Sequence, residues 1–410
     1  MVGIDFTHAG TQSTHDDIIS AERERILAAT TNYTDPRCSV ALASDPELFH
    51  AAVELAQQYR EVDLVVIIGI GGSNLGTLAA LSATYGIAWP KHVVFFDTVD
   101  PDDTVQQLQT LRTACQDKKR VLINIISKSG TTAETLANAK VVCDLLTEHD
   151  YALSETVVIT TDKDSALDAF ALQHAVPALH IPALVGGRFS VLSPVGVFPL
   201  AVLGVDVQEL LGGAREALDE LRSGQDCAAR LASVQYAHAL SGRNLVDFFV
   251  FAKRFSAVGA WYRQLLAESI GKTPQVGITP TTSVGSTDLH SVAQLYLAGP
   301  ADKFFLLVSL SDAHPVLVSP SPLDSVSPAM KGVSHNELYA AIYQGTKQAF
   351  IGQDIPFVEF SLAPTAHDLG YLLQLLMLEV IYLGALFEVN PFDQPAVELY
   401  KKETRAALTR

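Results

Sequence analysis

The strongest constraint in this sequence is an alternation: short, unbroken apolar runs are separated by longer stretches of helical character. Residues 64–70 (LVVIIGI), 93–96 (VVFF), 121–126 (VLINII) and 156–160 (TVVIT) are continuous apolar runs of strand length. Parallel strands covered on both faces have this pattern, whereas half-solvated strands alternate. Residues 75–83, 102–115, 131–146 and 165–173 lie between or after them and are read as helices. The product is a βαβαβ series, which makes a doubly wound parallel sheet. A second series follows, with strands at 245–251, 303–310 and 357–362 and helices at 257–269, 289–297, 336–349 and 368–387. The break falls near 200–214, after a Gly/Pro-rich passage at 182–199. The expectation is an α/β fold of two doubly wound domains, 1–205 and 206–410, the second ending in C-terminal helices.

Composition narrows the function classes. The 410 residues carry 28 Lys+Arg against 45 Asp+Glu, a formal charge of −17, so neither nucleic acid nor an anionic membrane surface is expected as a partner. An anionic ligand would have to be held by local donors. Cys38, Cys115, Cys143 and Cys227 form no C-x-x-C pair, which fits a reducing compartment and no zinc site. Residues 1–8 lack the basic start and apolar run of a signal peptide, and a cytoplasmic protein is expected. The stretch 371–389 is the most membrane-like, but Glu379 lies at its centre. A mid-membrane acid costs about 2.5–3.5 kcal/mol on insertion scales, so a buried core helix is expected there.

Two strand-to-helix junctions carry chemistry. Residues 69–76 (GIGGSNLG) follow a strand and open a helix, where glycines let backbone N–H groups approach an anion. With Asp97 ending the next strand 21 residues after Gly76, this also mimics a dinucleotide site. Residues 127–132 (SKSGTT) shift the balance: Ser127, Ser129, Thr131 and Thr132 supply four hydroxyls at a helix start, suited to a phosphate monoester. A helix cap needs only one such hydroxyl. Sugar-phosphate binding therefore overtakes the nucleotide reading.

At these motifs the chain resembles the sugar-isomerase superfamily. Four further blocks, 186–190 (GGRFS), 268–272 (ESIGK), 285–291 (GSTDLHS) and 392–401 (FDQPAVELYK), make it similar to the glucose-6-phosphate isomerase family in its short bacterial form. The six blocks occur in the family's order and span Gly69 to Lys401.

The resemblance implies reversible conversion of glucose 6-phosphate to fructose 6-phosphate through a cis-enediol, in glycolysis and gluconeogenesis. Glu268 is implied as the base that moves a proton between adjacent carbons, and a carboxylate suits that task. Arg188 is implied as the donor that stabilises the enediolate; the alternative is a structural arginine paired with an acid. His290 and Lys401 are implied as the ring-opening pair. A lone histidine is more often structural, and chemistry alone does not separate Lys401 from Lys402, though the family spacing from Gln394 selects Lys401. Gln264 lies one turn before Glu268 and would hold substrate or a water. The implied substrate-binding set is Gly72, Ser73, Ser127, Lys128, Ser129, Thr131, Thr132, Gln264 and Gln394. No metal or organic cofactor is implied. The chain is expected to form a homodimer with shared sites, His290 reaching into the partner's. Asn74, Ile270 and Ala396 depart from residues frequent in the family, and none has an assigned role. The rivals are another sugar-phosphate isomerase, one also accepting mannose 6-phosphate, and a non-catalytic sugar-phosphate sensor.

Overall fold

A computed structural model describes residues 2–10, 15–311, 316–317 and 321–408. After a short first strand, β1 (Gly3–Asp5), the chain forms β2 (Leu64–Ile68), β3 (His92–Phe96), β4 (Val121–Ile126), β5 (Val157–Thr161) and β6 (Ala178–His180). These last five make one all-parallel sheet in the order β3-β2-β4-β5-β6. Every residue of β2, β4 and β5 is buried, as their continuous apolar runs require. The winding direction reverses between β2 and β4. Crevices at such a switch point, outside the carboxyl ends of the strands, are where open α/β sheets bind ligands. The residues that follow β2 and β4 are the two glycine- and hydroxyl-rich loops.

The second sheet contains β7 (Leu245–Phe251), β8 (Thr279–Val284), β9 (Lys303–Leu310) and β10 (Phe357–Leu362), ordered β1-β10-β9-β7-β8. It is parallel except for β1, which runs antiparallel to β10 with Gly3 opposite Ser361. The amino-terminal strand thus belongs to the sheet of the carboxyl-terminal half. Between the sheets lies a shared apolar core, crossed by the helix Ala366–Leu386. That helix is long and apolar enough to cross a membrane, yet 94% of its most apolar window is buried inside the protein. Glu379 lies within it, fully buried.

One expected helix is corrected, and two segments to which the sequence reading gave no element take shape. The Gly/Pro-rich passage 182–199 holds a turn at Gly187–Phe189 and leads into the helix Pro194–Val202, which is buried on nearly every side. The helix expected over 289–297 breaks into a tight turn, Thr287–His290, and a short helix, Ala293–Ala298. Asp288 causes the break: its carboxylate accepts from the Val284 N–H and the Ser291 hydroxyl, local bonds that compete with helix continuation. The strand β8, TPTTSV, carries Pro280 and lies at the sheet edge, where proline is tolerated and the apolar signal fades.

Candidate active site

The loop after β4 is braced from below. The Thr161 hydroxyl, at the end of β5, donates to the Ser127 carbonyl at 2.7 Å, and the Asp162 N–H donates to the Lys128 carbonyl at 3.1 Å. Within the loop, the Ser127 and Thr132 hydroxyls lie 3.0 Å apart, and the Thr131 hydroxyl donates to Ser129 Oγ at 3.2 Å. Thr132 stands at the N-cap of the helix Ala133–Glu148, but its hydroxyl makes no capping bond. The first-turn N–H groups therefore stay unsatisfied by the cap and the loop carries more donors than a helix start needs.

The glycine loop after β2 makes a second close contact. A Cβ on Gly72 would fall 2.2 Å from the Gly187 backbone and 2.6 Å from the Arg188 N–H, so only glycine lets these two loops meet. That contact sets Arg188 at the crevice. Its side chain is 2% exposed, and a buried guanidinium must have its donors filled. All five N–H groups are filled: Nε by Ser269 Oγ at 2.8 Å, Nη1 by Glu268 Oε2 at 3.1 Å and Gln394 Oε1 at 3.0 Å, and Nη2 by the Pro391 carbonyl and by the Asp393 carbonyl at 3.1 Å. Burial lowers the guanidinium's pKa from its ordinary value, and the Glu268 and Asp393 charges oppose the lowering.

Glu268 projects from the last turns of the helix Ser256–Ile270. One oxygen takes Arg188; the other accepts from Gln264 Nε2 at 3.1 Å, one turn earlier on the same helix. The Glu268 side chain is 33% exposed, so the carboxylate is gripped on one side and open on the other. What it opens into is a cleft of about 700 Å³. Ser129, Thr131 and Thr132 form one stretch of its wall; Arg188, Gln264, Glu268, Gln394 and Lys401 form another. Lys401 lies on the final helix, Val397–Leu408, and its ammonium donates to Glu398 at 3.0 Å.

The remaining residues singled out from the sequence stand outside this lining. Gly72 packs the loops together, Ser73 ends a half-buried turn, and Ser127 is buried beneath Thr132. Lys128 donates to the Ala183 carbonyl at 2.6 Å. His290 is exposed on the turn after β8 and does not line the cleft of its own chain. Conversely, the sequence does not single out Ser269, Pro391 or Asp393 as braces of Arg188. Ser269 is adjacent to Glu268 in the sequence, a signal that could have been used. The Pro391 and Asp393 carbonyls have no sequence signature. Among the described residues, no group of three or more His, Cys, Asp or Glu side chains is placed to hold a metal ion.

Comparison with known proteins shows the family. The family model described as phosphoglucose isomerase matches residues 47–287. A probable glucose-6-phosphate isomerase of Haloarcula marismortui is 36% identical, with 96% of this chain and 88% of that protein covered. The glucose-6-phosphate isomerase of Rubrobacter xylanophilus is 35% identical over 94% of this chain and 92% of its own length. Among solved structures, a hypothetical protein from Thermus thermophilus superposes with a TM-score of 0.90 at 32% identity, each chain fully covered. Matched over more than half its length by the family model, and over nearly all of it by relatives above 30% identity, the chain belongs to the phosphoglucose isomerase family.

Proposed function

We propose that the protein interconverts glucose 6-phosphate and fructose 6-phosphate, and that Glu268 carries the proton between the two adjacent carbons. The observation that carries this reading is the Glu268–Arg188 pair, 3.1 Å apart, lining one cleft with the hydroxyls of Ser129, Thr131 and Thr132. The phosphate is held by Ser129, Thr131 and Thr132 with the N–H groups of the helix they precede. The reacting carbons then lie toward Glu268, which removes a proton from one carbon and returns it to the next. The enediolate oxygen formed between these steps is met by Arg188. Nη1 is the nitrogen able to do this: its partners, Glu268 and Gln394, line the cleft, so substrate can replace one of them while Nε and Nη2 stay anchored.

Ring opening is assigned to Lys401 and His290. Because His290 is exposed and outside its own chain's cleft, the reading gives it to the site of a second copy, and the enzyme works as a homodimer with shared sites. It takes residues 1–205 and 206–410 as two units, the first bringing the phosphate loop and Arg188, the second Glu268, Gln394 and Lys401. The setting is the cytoplasm, in glycolysis and gluconeogenesis.

Glu268→Gln keeps the shape and removes the basicity. Turnover should fall by about 10²–10⁴ with substrate affinity changed far less, and tritium exchange from solvent into product should vanish. Activity within a few-fold of the parent would reject Glu268 as the proton carrier. The shared site has its own test. Refolding Glu268→Gln mixed with His290→Ala should restore about a quarter of all sites, since about half of randomly paired dimers are mixed and each has one intact site. Mixed dimers without recovery would show both residues coming from one chain.

A further inference from the structure

Arg188 is not the only cation that holds the segment preceding the final helix. Lys272 follows the end of the helix Ser256–Ile270, four residues after Glu268, and its side chain is only 9% exposed. Its backbone is fixed by a tight turn: the Lys272 and Thr273 N–H groups both donate to the Val276 carbonyl, at 3.2 and 3.4 Å. A buried ammonium needs strong acceptors. This one donates to the Asp393 carbonyl and, at 3.2 Å, to the Asp393 carboxylate. The same carbonyl accepts from Arg188 Nη2. Burial lowers the ammonium's pKa; its bond to Asp393 opposes this, and the Arg188 charge adds to the lowering.

Two buried cations thus converge on one carbonyl oxygen. The segment they hold is itself a closed turn, with Asn390 Nδ2 on Asp393 Oδ2 at 2.9 Å and the Phe392 N–H on Asn390 Oδ1 at 3.0 Å. The next residue is Gln394, which accepts from Arg188 Nη1, and the Gln394 carbonyl receives the Val397 N–H that begins the helix bearing Lys401. That helix has no buried residue of its own, so its placement depends on the segment before it.

We propose that Lys272 is a positioning residue for the isomerase reaction: by holding Asp393 it fixes the segment that sets Gln394 against Arg188 and aims the helix carrying Lys401. It does not touch the substrate. Its effect on the reaction passes through Arg188 and Gln394, and the inference rests on the reading of the site given above.

The test is a double-mutant cycle in the intact enzyme, read as kcat/KM for fructose 6-phosphate. A misplacement of about 1 Å costs on the order of 10²-fold, and Lys272→Met should lose about that much. Gln394→Ala should be damaging in the parent, yet in the Lys272→Met background it should cost less than about threefold more, because Gln394 is already displaced. A lysine that only stabilises the fold would lower the melting temperature and leave the two losses multiplicative. Lys272→Gln, too short to reach Asp393, repeats the measurement should circular dichroism find Lys272→Met unfolded. Multiplicative losses, or a Lys272 variant within about threefold of the parent, overturn the proposal. Glu268→Gln run alongside separates the two failures. Full activity there defeats the reading of the site, whereas its loss beside an active Lys272 variant defeats the role of Lys272 alone.

Discussion

The two walls of the cleft are built in opposite ways. One wall comes from one short stretch, 129–132, at the mouth of a single strand, and its donors are neutral hydroxyls and main-chain N–H groups. The other wall is drawn from residues 188, 264–272 and 391–401, which come together only when the fold closes. Arg188 is buried at its centre and bonds Glu268, Gln394 and the Asp393 carbonyl, while Glu268 stays partly exposed to the cleft. A wall made locally from neutral donors can lose one member and keep its shape. A wall made from distant segments cannot, because the segments are held together only through the buried Arg188 and the Lys272 that shares its Asp393 carbonyl.

Arg188→Lys breaks this comparison hardest. Lysine keeps the charge but offers three donors from one point, against five in a planar fork. Some of the acceptors that Arg188 now fills would be left buried without a donor. Turnover should fall by on the order of 10³ if Arg188 meets the enediolate as proposed, with a lower melting temperature as well, since the loss reaches every segment that Arg188 holds. A variant with ordinary stability and a loss below tenfold would mean that the Arg188 wall is as tolerant as the other. Thr132→Ala probes that other wall. It removes one hydroxyl from the loop, and KM should rise by the equivalent of about 1–3 kcal/mol while kcat changes little. A collapse of kcat there would erase the distinction.

The same contrast decides what the sequence discloses. Strands β2 and β4 are legible because burial on both faces leaves an unbroken apolar run, and both loops that follow them are contiguous motifs. Strand β8 is not legible: an edge position lets Thr and Pro stand where a central strand would show Val or Ile. β1 is three residues long, and its partner lies more than 350 residues away. In the site, Glu268, Arg188 and Gln394 are named through a family pattern that chemistry alone would not have singled out. The carbonyls of Pro391 and Asp393 escape even that, because any residue has a carbonyl and only the folded chain says which one a cation meets. Ser269 and Lys272 stood inside a quoted motif, yet their partners lie elsewhere in the chain.

The smallest effect on turnover should come from Glu379→Gln, which sharpens the comparison from beneath the Arg188 wall. The helix Ser256–Ile270 reaches both the cleft and the core. Glu268 meets Arg188 at the cleft, while Tyr262 reaches into the core and donates to both Glu379 oxygens at 3.1 Å. Gln235 Nε2 in turn donates to the Tyr262 hydroxyl at 3.0 Å. Burial pushes the Glu379 carboxyl from its ordinary 4.5 up to about 8, and the Tyr262 bond only partly offsets this. Between those two values the folded state retains a proton that the unfolded state has released. Stability from this group is therefore full below 4.5 and is lost as pH rises toward about 8, beyond which both states are ionised. Glutamine does not titrate, so the variant should lack this slope. Its melting temperature should gain on the parent's between about pH 5 and 8, by on the order of 5 °C, while turnover at pH 7 stays within about threefold. Parallel melting curves across that range would mean that Glu379 is already ionised in the folded protein. A large loss of turnover with normal stability would mean that the core contact reaches Glu268 through the helix they share.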